Sequence, residues 1–342
     1  MKILVTGGTG YIGSHTVVEL QNEGFEPIII DNLSNSSISV LEGIEKITGK
    51  RPVFEQIDCK DINDMDLLFT KHKDIVAIIH FAASKAVGES VIKPLMYYRN
   101  NLKSMLNIME LMIKHNVENL VFSSSCTIYG QPDILPVTEK AEIKPALSPY
   151  GNTKQICEEI INDTAHANPH INAILLRYFN PIGAHESSEI GELPIGVPQN
   201  LIPYVTQTAA GIRKQLQVFG NDYNTPDGSC IRDYINVTDL AKAHVASVKR
   251  LLDKKGKSSV EAFNIGTGRG TTVLEVISLF EKVTGVKLNY KIVGRREGDI
   301  EKVWADASLA NNELGWRAEK SMEDTLLSAW KWEQHLKQTK TR

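Results

Sequence analysis

Between residues 3 and 15 the chain reads Ile-Leu-Val-Thr-Gly-Gly-Thr-Gly-Tyr-Ile-Gly-Ser-His, a short apolar strand, a glycine turn and a helix start. Gly7, Gly10 and Gly13 recur every three residues, and Gly8 with Gly10 and Gly13 also fits G-x-G-x-x-G. Val17, Val18 and Leu20 then suggest a helix after Gly13 that stops at Gly24. Glycines suit a tight turn that lets a pyrophosphate approach the backbone, and a helix N-terminus behind it offers free N–H groups and a positive dipole end. Context strengthens the motif. A second strand, Pro27 to Ile30, ends in Asp31, eighteen positions after Gly13. An acid there accepts hydrogen bonds from the adenosine ribose hydroxyls and repels a 2′-phosphate, which favours NAD over NADP.

With 342 residues the chain is long enough for two domains sharing a large interface or for one oversized α/β unit. A net charge of −3 favours neither nucleic acid nor an anionic membrane, so a charged substrate needs local cations. Cys59, Cys126, Cys157 and Cys230 are scattered with no C-x-x-C pair, as expected for a reduced, cytoplasmic compartment and no structural zinc. No apolar run approaches the length of a membrane span, and the first strand leaves no room for a signal peptide.

Apolar runs at Val53 to Ile57, ending at Asp58, and at Ile75 to His80, Leu120 to Phe122 and Ala173 to Leu176 alternate with helical stretches. The longest helix is expected over Pro94 to His115, with Leu102, Met105, Leu106, Met109 and Met112 at core spacing. Such alternation implies a doubly wound parallel sheet of the Rossmann type, helices on both faces. Past Pro181 loops lengthen, a helix is expected near Asn200 and a strand at Leu216 to Phe219, and Thr272 with Glu275 makes a capping box. Residues 1–180 therefore read as the NAD-binding domain and 181–342 as a smaller α/β domain for the other reactant. Tyr234 to Val237, with a helix from Thr238, offers a return of about 233–250 to the first sheet.

Tyr150 and Lys154 stand four apart in Ser-Pro-Tyr-Gly-Asn-Thr-Lys, and of ten tyrosines only Tyr150 has a lysine at that distance. On a helix opened by Pro149 both side chains share one face. Free tyrosine titrates near 10, and a neighbouring ammonium together with a positive nicotinamide ring favours phenolate. A phenolate can take an alcohol's proton while hydride leaves the same carbon. Ser125, at a strand end, can hydrogen-bond the same oxygen.

Thr6 to His15, Asp31-Asn32-Leu33, Phe122 to Ser125 and Tyr150 to Lys154 resemble the extended short-chain dehydrogenases. Leu176 to Asn180, Arg232-Asp233-Tyr234 and Arg295 to Asp299 narrow the likeness, over nearly the whole chain, to the UDP-glucose (UDP-galactose) 4-epimerase family. The resemblance implies NAD contacts from Gly7, Gly10, Tyr11, Ile12 and Gly13, from Asp31, Asn32, Leu33, Ser34, Asn35 and Ser36, and from Asp58 and Cys59. It adds Phe81, Ala82, Ala83, Ser84, Lys85, Asn100 and Phe179, with Ser125, Tyr150 and Lys154 both catalytic and within reach of the cofactor. UDP-sugar contacts, shared by Ser125 and Tyr150, are implied at Asn180, Asn200, Leu201, Gln217, Val218, Phe219, Arg232, Arg296, Glu297, Gly298, Asp299 and Val303. A diphosphate suits planar bidentate arginines. A homodimer is implied by the resemblance alone.

The implied activity is interconversion of UDP-galactose and UDP-glucose by transient oxidation at the sugar 4-position. Val303 stands where some members of the family carry a bulky tyrosine, which extends the expectation to N-acetylated UDP-sugars; a plain packing valine is the alternative. Nucleotide-sugar dehydratases and decarboxylases share the Tyr/Lys pair but place acid after the residue corresponding to Ser125, where Cys126 and Thr127 stand here. A non-catalytic NAD-sensing or scaffold protein has little use for Tyr150, Lys154 and two separated arginines. His15, His80 and His115 lack metal spacing and read as capping, strand or surface residues.

Overall fold

The computed structural model describes residues 1–296 and 299–340, so Glu297 and Gly298 of the expected substrate contacts lie outside the described residues. The first half runs β1 (Lys2–Thr6), α1 (Tyr11–Asn22), β2 (Glu26–Ile30), α2 (Val40–Thr48), β3 (Val53–Glu55) and α3 (Ile62–Lys71). It continues through β4 (Ile75–His80), α4 (Val87–Ile92), α5 (Pro94–His115), β5 (Asn119–Ser125), α6 (Pro149–Ala167) and β6 (Asn172–Tyr178). Then follow β7 (Asn180–Ile182), α7 (Leu201–Ala209), β8 (Leu216–Phe219), β9 (Ile231–Arg232), β10 (Tyr234–Asn236), α8 (Val237–Leu252) and β11 (Val260–Ile265). The chain closes with β12 (Thr271–Thr272), α9 (Val273–Thr284), β13 (Tyr290–Val293), β14 (Lys302–Val303), α10 (Ser308–Glu313) and α11 (Met322–Lys340).

Seven parallel strands in the order β11-β6-β5-β4-β1-β2-β3 form the large sheet. The order reverses direction between β1 and β4, and ligands bind at such a switch point beyond the strands' carboxyl ends. One sheet face packs Val17, Val18 and Leu20 of α1 with Leu240, Val245 and Val248 of α8. The other packs Met65 and Phe69 of α3, Met105, Ile108 and Met112 of α5, and Ile161 of α6. Leu106 departs from the expected core pattern: it is exposed, as are Leu95 and Ile113 on the same helix.

Several boundaries differ from the sequence reading. Helix α1 begins at Tyr11 rather than after Gly13, so Gly10 is its N-cap and Gly13 lies in its first turn. A Cβ on Gly13 would stand 2.3 Å from the Gly7 carbonyl oxygen, so this glycine serves helix-to-turn packing. β3 stops at Glu55, short of Ile57. The return to the first sheet is made by α8, packed on α1, and by β11 at the sheet edge, whereas β10 pairs with β7 outside it. A third core gathers Ile202 and Val205 of α7, Leu216 and Val218 of β8, Ile277 and Phe280 of α9, and Leu326 of α11. Helix α9 opens on the expected Thr272–Glu275 capping box. Among the described residues no helix is long and apolar enough to cross a membrane.

Candidate active site

The glycine turn leaves β1 through Gly7, whose φ of +69° suits glycine, and a Cβ there would meet the Ala82 nitrogen at 2.9 Å. Helix α1 then starts with no side-chain cap and no acid in its first turn, so its first N–H groups present positive potential to an anion. Ile12 sits in this turn, while Tyr11 is buried with its hydroxyl donating to the Gly183 carbonyl at 2.7 Å. Asp31 follows β2, and its Oδ1 accepts from Leu33 N and Ser36 Oγ, each at 2.9 Å. That fold-back is tight: Leu33 has φ +57°. Asn32 also spans to Asp58 Oδ2 at 3.1 Å and accepts from Ser34 N at 3.0 Å, which ties together the loops after β2 and β3. Ser34 and Asn35 stand on the same turn. Cys59 is instead a core side chain, its thiol pushed up to about 12 by burial. These features fit a dinucleotide: an uncapped helix end for the pyrophosphate and a buried, pre-oriented carboxylate for a ribose.

Phe81, Ala82, Ala83, Ser84 and Lys85 leave the end of β4. Asn101, which the sequence reading passed over, secures this loop. Its Oδ1 accepts from Ser84 N at 2.9 Å, and its Nδ2 donates to Ser84 O and to Thr153 Oγ1 of α6, both at 3.0 Å. Its neighbour Asn100 donates to Ser84 Oγ at 3.2 Å.

Helix α6 carries the expected pair. Ser148 caps it by accepting from Gly151 N at 3.2 Å, and Pro149 occupies its first turn. Tyr150 and Lys154 are 9% and 4% exposed, and Ser125, at the end of β5, is 7% exposed. The Ser125 hydroxyl lies near enough to the Tyr150 phenol to favour its ionised form, and it accepts from Thr127 N at 3.2 Å and Thr127 Oγ1 at 3.0 Å. Burial dominates and pushes the phenol well above its ordinary value, while burial also pulls Lys154 down to about 8. The lysine Nζ donates to the Ser123 carbonyl at 2.5 Å and lies 5.9 Å from the Tyr150 ring centroid. One turn beyond, Glu158 receives a bidentate pair from Arg177 of β6, Nε to Oε1 at 3.1 Å and an Nη2 to Oε2 at 2.7 Å. Ser124 Oγ donates to the same carboxylate at 2.5 Å, which locks α6 to β5 and β6.

In the second half of the chain Asp299 stands between two arginines, 2.6 Å from Arg296 and 3.7 Å from Arg232. The Arg296 guanidinium lies 5.5 Å from the Phe219 ring centroid, and the field of Arg232 reaches the Cys126 thiol beside Ser125. Asp233 orients this corner: fully buried, it accepts from Thr267, Gly268 and Ala305 backbone N–H groups. Asn180 donates its N–H to Asp233 O at 3.0 Å, Phe179 is buried next to it, and Asn200 occupies the N-cap position of α7, ahead of Leu201, without a side-chain cap bond. Along β8 the side chain of Gln217 is exposed, but that of Val218 points into the third core and leaves only its backbone for a ligand. Val303 is 3% exposed and packs with Phe179, Ile128, Tyr129 and Val137. His15 is buried in α1, and His80 is the buried last residue of β4, a strand histidine as expected. Among the described residues no three His, Cys, Asp or Glu side chains gather as a metal site.

A glycine-turn sheet of order 3-2-1-4-5-6 bearing a buried Ser, Tyr and Lys at its carboxyl edge defines a short-chain dehydrogenase/reductase type of enzyme. A family model described as GDP-mannose 4,6 dehydratase matches residues 4–328. A UDP-glucose 4-epimerase of Dictyostelium discoideum is 49% identical over 97% of this chain and 95% of its own. The crystal structure of a Stenotrophomonas maltophila UDP-glucose 4-epimerase with bound NAD and formylated UDP-arabinopyranose superposes with TM-score 0.95 at 47% identity, over 99% of both chains. That of the Bifidobacterium longum enzyme with NAD+ and UDP gives 0.93 at 48% identity, over 98% of both. The chain belongs to the UDP-glucose 4-epimerase family.

Proposed function

We propose that this chain interconverts UDP-galactose and UDP-glucose, using NAD held throughout the cycle. The observation that carries this reading is the buried Tyr150 phenol beside Ser125 and Lys154, with Arg232 and Arg296 gathered on Asp299 and the field of Arg232 reaching Cys126 next to Ser125. Bound NAD supplies a positively charged, reversible hydride acceptor beside the sugar. Tyr150 takes the proton of the sugar 4-hydroxyl and later returns it, while Ser125 holds the oxygen in line. Arg232 and Arg296 grip the diphosphate, which leaves the hexose free to present its other face before the proton returns. Cys126 and Thr127 supply no carboxyl to protonate a leaving hydroxyl, so elimination has no acid at this position. The glycine turn, Asp31 and the 81–85 loop support placing NAD on the large sheet, with residues 181–342 serving mainly the UDP-sugar. Incubating the purified protein with UDP-galactose and no added NAD tests the proposal: UDP-glucose appears, and accumulation of a dehydrated sugar or no product refutes it.

We further infer a cytoplasmic homodimer. Leu95, Leu102, Leu106 and Ile113 follow one another at seven, four and seven residues, a single stripe down α5, and all but the half-buried Leu102 are exposed. Light scattering is expected to give twice the chain mass, and Leu106→Asp to give a monomer.

A further inference from the structure

We infer that Glu192 couples the two ligand sites: its carboxylate, shared between Lys85 and Asn200, makes dinucleotide occupancy and the grip on the UDP-sugar depend on each other. The inference rests on reading Lys85 as a dinucleotide contact and Asn200 as a UDP-sugar contact. A single oxygen, Oε1, accepts from Asn200 Nδ2 at 2.6 Å and faces Lys85 Nζ at 3.9 Å. The glutamate side chain is 12% exposed and that of Lys85 is 55% exposed, so the lysine is free to swing and the carboxylate is not.

The backbone under Glu192 is seated firmly. Its carbonyl accepts from Trp332 Nε1 at 2.9 Å, and a Cβ on Gly191 would stand 2.5 Å from that indole. Lys85 also lies 5.9 Å from the Tyr11 ring centroid, over the first residue of the helix that faces the pyrophosphate. Lys85 and Asn200 both hold down a carboxyl that burial pushes up.

The chemistry gives the coupling a sign. A carboxylate only accepts, so the Asn200 amide turns its NH2 to Glu192 and presents its oxygen outward as an acceptor. No side chain of Asn200 caps helix α7, since its amide is committed to this bond. When a phosphate draws Lys85 away, Asn200 keeps the undivided charge of Glu192 and is held more rigidly. Dinucleotide and UDP-sugar therefore strengthen each other's binding, and by linkage the factor is the same in both directions.

The test uses the NAD-loaded enzyme and measures exchange of bound NAD for labelled NAD with and without saturating UDP. In the parent, UDP is expected to slow exchange by about fivefold or more. In Glu192→Gln, which keeps an acceptor for Asn200 but loses the charge, the ratio is expected to fall within about twofold of unity. Lys85→Met, at an exposed position that leaves the core untouched, is expected to collapse it likewise. A parent without the effect, or either variant with the full parental ratio, overturns the proposal. Asn200→Ala separates the two levels. Unchanged UDP affinity there removes Asn200 from the UDP-sugar site and the coupling with it, whereas weakened UDP binding with an intact ratio in Glu192→Gln defeats the coupling alone.

Discussion

Lys154 gives its ammonium to the Ser123 carbonyl, 2.5 Å away, and so holds a buried positive charge 5.9 Å from the ring centroid of Tyr150. A phenol in this setting does not ionise readily, because burial outweighs the favourable influence of Ser125. A proton-accepting form would therefore depend on nearby positive charge, and Lys154 is such a charge.

Activity is expected to rise with pH as the phenol ionises, and Lys154→Met should move that rising limb to higher pH. The loss at pH 7 is expected at roughly 100-fold or more, within the range of general-base catalysis. Since burial draws Lys154 itself down to about 8, the parent is expected to lose part of this support above that pH. A pH–rate profile of kcat for both proteins checks the claim; coincident limbs contradict it.

His15, His80 and His244 are buried, and their folded pKa values are drawn down to about 3, 3 and 4 by desolvation. The unfolded chain, with histidines near 6.5, binds protons first as pH falls, so stability is complete above that value and declines below it. Each contributes about 1.4 kcal/mol of loss per pH unit until its folded pKa is reached. Urea midpoints measured from pH 7.5 to 5 should fall steadily below 6.5, and less steeply in His244→Phe.

The Glu158–Arg177 pair is buried on both sides, with side-chain exposures of 6% and 8%. Removing one member strands the other charge, at a cost of about 3–5 kcal/mol. Glu158→Leu and Arg177→Met are each expected to destabilise the fold by that order. The double variant should recover much of the loss, because it strands no charge. Denaturant unfolding of all four proteins closes the cycle, and additive losses contradict it.

Val303 packs with Phe179 and pairs in register with Arg232. If Val303 contacts the sugar, as the sequence resemblance implies, tyrosine there adds bulk beside it. Turnover of UDP-N-acetylglucosamine by the parent, reduced about tenfold or more relative to UDP-glucose in Val303→Tyr, is the expected pattern, a pocket contact of a few methylenes being worth up to about 200-fold. No turnover of the N-acetyl sugar by the parent refutes it.

Residues that act through local spacing were legible in the sequence: the glycine turn, Asp31 after its strand, and Tyr150 with Lys154 on one helical face. Each is a short-range pattern fixed by strand and helix geometry. Asn101, Glu158 with Arg177, and Glu192 left no such mark, because Asn101 meets Ser84 17 positions away, Glu158 meets Arg177 19 away and Glu192 meets Trp332 140 away, all in separate elements that come together only when the chain folds. The phenol's reluctance to ionise was hidden for a related reason. Spacing places a lysine on the same helix face, but only the packed site shows which acceptor that lysine chooses.

Replacing Tyr150 by phenylalanine tests the central claim most directly, since it removes one hydroxyl and leaves the packing of a buried ring. With NAD still bound and UDP-galactose supplied, conversion to UDP-glucose is expected to fall by about a thousandfold or more. Conversion at the parental rate would contradict the assignment of Tyr150 as the proton acceptor.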